Sequence, residues 1–248
     1  AALLEKADTL RSQCKQMEQE LNQLAQSVFL EMFGDPVTNP NGWETKKLNM
    51  IVDDLQGGKS LTASEDEANS GRNRVLKISA VTWGEFLPSE SKPLPNEYEP
   101  PEDHFVREGD LLFSRANTTE LVGATSLVFN TPGNVVLPDK LWRFVWKDSK
   151  SLSQVFMWQL LSHPGVRNQL GKIATGSGGS MKNISKSKLY DFEVIFPEKK
   201  QQRLFEKKYL GIRKQLRSLN EAKQNYEEVF HSLMQNAFSG KLNLTKAA

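Results

Sequence analysis

Two long heptad-patterned segments bracket roughly 160 residues of different character, and this bracketing constrains the fold more than any other property of the chain. Leu3, Ala7, Leu10, Cys14, Met17, Leu21, Leu24 and Val28 follow the alternating four–three spacing of a helical seam. A second seam runs through Phe205, Tyr209, Ile212, Leu216, Leu219, Tyr226, Phe230, Leu233 and Ala237, and Lys223 interrupts it. Such a polar break costs stability but can set helix register. The seams are similar at their ends: an offset of 205 places Leu21 on Tyr226 and Leu24 on Val229, an internal repeat that points to equivalent helices. At 1.5 Å per residue the first segment spans roughly 50 Å. The economical packing is an antiparallel pair carrying the intervening domain at one end.

The first helix is predicted to stop at Phe33-Gly34-Asp35-Pro36, a C-cap glycine followed by a proline. Trp43 is expected to anchor the domain that follows. Short strand-like runs then appear at residues 74–78, 110–115, 127–129, 141–146 and 191–196, separated by Gly, Pro and Asn turns. One helix is predicted at about residues 151–170, with Ser151 or Ser153 available as its cap. The expected class is therefore α/β: a mixed, irregular-sheet domain attached to a long antiparallel helical pair. The expected divisions are 1–35, 36–197, 198–242 and a tail at 243–248.

No catalytic constellation emerges. His104, His163 and His231 are far apart in sequence and none has metal-ligand spacing. The single cysteine, Cys14, cannot form an internal disulfide, as suits a reducing compartment. No apolar run approaches 18 residues and no signal-like start is present, so a cytoplasmic location without membrane association is expected.

The net charge of +2 conceals an uneven distribution. Residues 44–110 carry eight basic and fourteen acidic side chains, whereas residues 111–196 carry ten basic and five acidic. A polyanion-binding face is possible if the basic half gathers on one side. Gly176-Ser177-Gly178-Gly179-Ser180 lacks the Gly-Lys-Ser/Thr ending of a nucleotide-hydrolysing loop. With Lys172, Lys182, Asn183 and Lys186 it offers donors suited to a DNA backbone; the competing reading is a surface linker. Two further stretches suit base readout: Arg72, Arg74 and Lys77 leading to Thr82, and Arg115 with Asn117 and Thr118. Arg and Lys can pair with guanine, Asn with adenine, and a Thr methyl with thymine. Arg115 could instead pair with an acid such as Asp110, and Trp83 could be a hydrophobic anchor. The alternative to DNA binding is a non-catalytic coiled-coil adaptor whose central domain binds protein.

Several segments, in order, resemble the specificity subunit of type I restriction–modification systems. They are Ser27–Pro36 with Gly42-Trp43, then Gly109–Arg115, Ala174–Ser177 through Met181–Ser185, Ile195-Phe196-Pro197 leading to Gln201–Phe205, and Ala237–Leu242. The resemblance implies a target recognition domain reading one half of a split DNA sequence, with conserved helices as spacer and docking surface. On the helices, Leu10, Met17, Leu21, Leu24, Val28, Ile212, Leu216, Leu219, Tyr226, Phe230 and Leu233 are the expected seam or partner interface. It also implies a subunit without catalysis of its own, with double-stranded DNA as a partner. Methyltransferase subunits using S-adenosylmethionine, and through them a restriction subunit using ATP and Mg2+, are the implied protein partners. Members of that family commonly carry two recognition domains, whereas one is visible here. The chain is then expected to be the C-terminal half of a longer protein, as its abrupt start at Ala1-Ala2-Leu3 suggests, or a natural half-subunit that forms a homodimer.

Overall fold

The computed structural model describes residues 2–59, 70–176 and 181–239, and these divide into two compact units, one from residues 2–32 with 204–239 and one from the described residues of 33–203. The mixed α/β class with two long helices agrees with the expectation.

In the first unit, α1 (Ala2–Phe33) and α6 (Lys199–Phe238) lie antiparallel. Phe29 meets Phe205 edge-on at 5.5 Å, Glu18 pairs with Lys223 at 3.2 Å, and Arg11 lies 5.0 Å over the Phe230 ring. The α6 seam follows the heptad reading, with Phe205, Ile212 and Leu219 buried, Leu216 and Phe230 half-buried, and Tyr226 at the exposed margin; the Leu233 side chain lies outside the described set.

The α1 seam is different. Cys14, Leu21 and Val28 form the shared row with Leu10, but Glu18 and Ala25 flank it where Met17 and Leu24 were expected. Met17 and Leu24 stay 50% and 46% exposed. The 4–3 spacing fits either neighbouring row of the same helix, and the Glu18–Lys223 pair occupies the facing one. Met17, Leu21 and Leu24 instead line an apolar groove of about 810 Å³ with Gly211, Gln215 and Leu219.

The second unit contains β1 (Thr45–Lys47), α2 (Leu48–Ile51), β2 (Val52–Gly57), β3 (Ser70–Leu76), β4 (Ser91–Pro95) and β5 (Leu111–Ser114). These are followed by β6 (Ala116–Asn117), β7 (Thr125–Leu127), β8 (Val135–Val136), β9 (Leu141–Trp146), α3 (Gln154–Ser162) and α4 (Pro164–Ile173). Last come β10 (Lys182–Asn183), α5 (Lys186–Tyr190) and β11 (Glu193–Ile195). The main sheet has the order β2-β9-β5-β7 and is antiparallel throughout. A three-stranded sheet, β4-β3-β8, and the two-stranded pairs β1-β11 and β6-β10 complete the unit.

All four residues of β5 are buried, which explains why Leu-Leu-Phe-Ser shows no alternation. Around it pack Leu76, Ala80, Val81, Val128, Leu137 and Leu141. The single helix expected at 151–170 is two helices, because Pro164 cannot donate to the preceding turn and starts α4 afresh. Ser153 Oγ caps α3 by accepting from Phe156 N at 3.1 Å, and His163 Nδ1 caps α4 by accepting from Gly165 N at 3.2 Å. Trp43 does anchor the start of the unit, donating its indole N–H to Phe33 O at 2.9 Å.

Arg143, on β9, is buried at 8% exposure and makes a polar node in the core. It donates to Asp110 Oδ2 at 2.8 Å, Phe105 O at 3.0 Å and Gln56 Oε1 at 2.6 Å, and also to Asp103 O. Burial raises the Asp110 carboxyl above its ordinary range, against the opposing pull of the Arg107 amide and Arg143.

Candidate nucleic-acid interface

The residues read from sequence as nucleic-acid contacts fall into two groups. In the first, four distant segments converge. Thr175 and Asn183 exchange both backbone hydrogen bonds at 2.8 Å, closing the neck of the glycine-rich loop. At this neck Gly176 has φ +153°, and a Cβ there would collide with the Met181 carbonyl, so the position demands glycine. Beyond the neck, Lys182 pairs with Asn117 and Asn183 with Ala116 across β10 and β6. Ile184 N donates to Arg115 O at 2.8 Å, and Arg115 N donates to Lys140 O at 3.1 Å.

Arg115 is the hub of this assembly. Its Nε donates to Asp139 O at 2.8 Å and its Nη1 to Asn183 Oδ1 at 3.1 Å. Nη2 lies 3.7 Å from Asp139 Oδ2, and the guanidinium sits 5.5 Å from the Trp142 ring centroid. Its ion-pair partner is Asp139, not Asp110, which Arg143 occupies. Two guanidinium nitrogens, Nε and Nη1, donate to protein acceptors and the third faces the Asp139 carboxylate, so Arg115 is tied into the framework of the neck.

Asn117 and Asn183 share a further property. Asn117 Oδ1 accepts from Thr118 N at 2.8 Å and Asn183 Oδ1 accepts from Arg115, so both amide oxygens are engaged. What each retains is its NH2 group, which no described residue engages. Each amide therefore keeps two N–H donors on the side turned away from its bonded oxygen.

Lys182 Nζ donates to Gly176 O at 3.0 Å and keeps further ammonium protons for an anion. Lys172 is exposed in the last turn of α4. Lys186, in contrast, bonds Asp54 Oδ1 at 2.9 Å; burial alone would raise Asp54, but this bond and the ammonium charge hold it below its ordinary range. Lys186 is thus committed to a carboxylate partner. Ser177 and Ser180 lie outside the described residues.

The second group sits on β3 and the turn after it. Arg74 Nε donates to Ser91 Oγ at 2.9 Å and Nη2 to Ser91 O at 3.2 Å, tying β3 to β4. Lys77 lies 3.7 Å from Glu90, and Thr82 Oγ1 donates to Ile78 O at 3.1 Å. Arg72 is exposed and its carbonyl accepts from Asn134 Nδ2 at 2.9 Å. No described hydrogen bond or ion pair links these four to the Arg115 group. Trp83, considered above as an anchor, is instead 74% exposed.

Sequence reasoning missed Asp139 and Lys140, which hold Arg115 from 24 residues or more away. It also missed Gly58 and Lys59, whose backbone pairs with Pro138 beside them. The Gly57-Gly58-Lys59 run was the available signal, since a Cβ at Gly58 would collide with the Leu137 carbonyl. Arg167 was unforeseen as well. Its Nη2 donates to Glu120 O at 3.1 Å, supporting the turn after Thr118, and burial lowers its pKa to about 10. Among the described residues no cluster of His, Cys, Asp and Glu could hold a metal ion, and no helix is long and apolar enough to cross a membrane.

With this geometry in view, comparison with known proteins is informative. No family model matches the chain. The EcoEI type I restriction enzyme specificity subunit of Escherichia coli is 30% identical over 163 residues, 65% of this chain and 27% of that protein. The EcoKI specificity subunit of Escherichia coli K12 is 26% identical over 254 aligned positions, 97% of this chain and 53% of that protein. The chain resembles type I restriction specificity subunits. Its fold agrees: the HsdS subunit of Thermoanaerobacter tengcongensis superposes with a TM-score of 0.54 at 20% identity, over 97% of this chain and 56% of that one. The chain thus spans about half the length of the EcoKI subunit and of this HsdS subunit, and a smaller share of EcoEI.

Proposed function

We propose that this chain is a DNA-specificity component without catalysis of its own, reading one half of a bipartite duplex target. The observation that carries the reading is the near end-to-end match, 97% of the chain, to just over half of the EcoKI specificity subunit. In this reading residues 36–197 are the recognition domain. The neck formed by Arg115, Asn117, Lys182 and Asn183 supplies its central donors, and the α1–α6 pair is the spacer. The groove containing the half-exposed Met17 and Leu24 is the docking surface for a methyltransferase subunit. S-adenosylmethionine, ATP and Mg2+ belong to that subunit and to a restriction subunit recruited through it.

The test is selection of preferred duplexes from a random library by the chain together with its modification subunit. Enrichment of a bipartite motif, with binding that falls steeply with salt, is expected. No enrichment would favour the protein-binding adaptor. A second recognition domain completes the bipartite readout. If a second copy supplies it, solution mass will report a dimer; a monomer at hundreds of micromolar excludes that source.

A further inference from the structure

We propose that Trp83 stacks its indole on one base at the edge of the DNA half-site, an assignment that rests on the DNA-reading function above. The other four tryptophans, Trp43, Trp142, Trp146 and Trp158, are buried or half-buried, whereas Trp83 is 74% exposed. It is also held firmly. The 3-10 turn Ile78–Val81 beneath it is rooted by Ala80 and Val81, both fully buried. Thr82 bonds back to Ile78 O, and Leu87 N returns to Ala80 O at 2.9 Å. Gly84, at φ +81°, turns the chain directly after the indole. A well-anchored turn thus holds a large aromatic ring three-quarters exposed to water.

Two features favour a nucleic-acid base over a protein surface as the occupant. First, among the described residues the other exposed large apolar side chains of this unit, Val37, Met50 and Met181, lie more than 30 residues from Trp83 along the chain. Protein docking sites are contiguous apolar patches, whereas a single base needs one ring face. Second, the turn packs on β5, whose final residue Ser114 precedes Arg115. Chain geometry then keeps Trp83 within roughly 30 Å of Arg115. That is less than the ~34 Å of one turn of B-DNA, so one duplex can meet both. Exposed Arg72 lies on β3, which leads into the same turn and brings a cation to its approach, while Lys77 at the start of the turn is paired with Glu90.

The experiment uses the chain with its modification subunit and the duplex enriched by library selection, with 2-aminopurine placed at successive positions. Trp83→Ala should weaken binding by roughly 5- to 150-fold. It should also abolish the fluorescence change at one position that the wild type produces, while leaving the melting temperature unchanged. Trp83→Phe should retain most of both. Wild-type affinity and an unaltered 2-aminopurine profile in Trp83→Ala would overturn the assignment while leaving the DNA-reading function intact. Loss of modification-subunit assembly with unchanged DNA contact would assign the ring to protein and overturn it too. If the wild type enriches no duplex, the function and this assignment fall together.

Discussion

Replacing Arg115 with Met separates a positioning role from direct base contact. The substitution removes hydrogen bonds to Asp139 O and Asn183 Oδ1, each of which contributes about 1 kcal/mol. The 3.7 Å pair with Asp139 is about one-third exposed on both sides and adds at most ~1 kcal/mol. The stacked cation over Trp142 adds about 0.5 kcal/mol. The methionine side chain recovers some packing, which leaves a net loss of about 2–3 kcal/mol. In a domain of this size that corresponds to a melting point lower by ~5–10 °C. Urea denaturation at pH 7 measures the first effect, and competition between enriched and random duplex the second. Because Asn183 loses its anchor, preference for the enriched duplex should narrow together with stability. A variant that keeps its stability within ~0.5 kcal/mol yet loses all preference would refute the reasoning, since Arg115 would then be reading a base itself.

Other perturbations address separate parts of the molecule. Lys182→Ala should weaken enriched and random duplex about equally and reduce the salt slope by about 1, as titration of binding against salt would show. Arg143→Leu strands Asp110 in the core and should cost about 3–5 kcal/mol at neutral pH. Its sign with pH follows from the raised Asp110 carboxyl: a group with a raised folded pKa contributes stability in acid and loses it as pH rises. Denaturation midpoints of the variant and wild type should therefore converge as pH falls toward the carboxylate range, and a gap that widens in acid would contradict this. In the helix pair, Lys223→Glu should destabilise and Glu18→Lys in the same chain should restore, with a double-mutant coupling of about 0.5–1 kcal/mol. Zero coupling would remove Glu18 from the facing row.

The two long helices and the strands β3, β5, β9 and β11 were legible because each is a local pattern, whereas β2, β4, α2 and α5 were not foreseen. Val75, Leu112, Phe144 and Ile195 sit in runs apolar enough to announce themselves, and their strands are found where expected. The site's framework was less legible for a physical reason. β6 and β10 have two residues each, too short for any alternation, and they pair across 65 positions. Asp110 looked like a partner for Arg115 because it is five residues away, but antiparallel pairing of β5 with β9 places Arg143 there instead. On α1 a heptad rule prefers Met17 and Leu24 to Glu18 and Ala25. Only the position of Lys223 on the opposing helix reverses that preference.

The engaged amide oxygens of Asn117 and Asn183 bear on how such a domain could change what it recognises. Asn183→Asp keeps an oxygen for Arg115 while converting the remaining atom of the same group from donor to acceptor. In the proposed role, a near-isosteric exchange would invert the hydrogen-bonding polarity offered to DNA without disturbing the hub that holds the neck together. On that proposal, the half of the planar group that holds the neck and the half offered to DNA are separate, and a change of specificity there would not pass through an unstable intermediate.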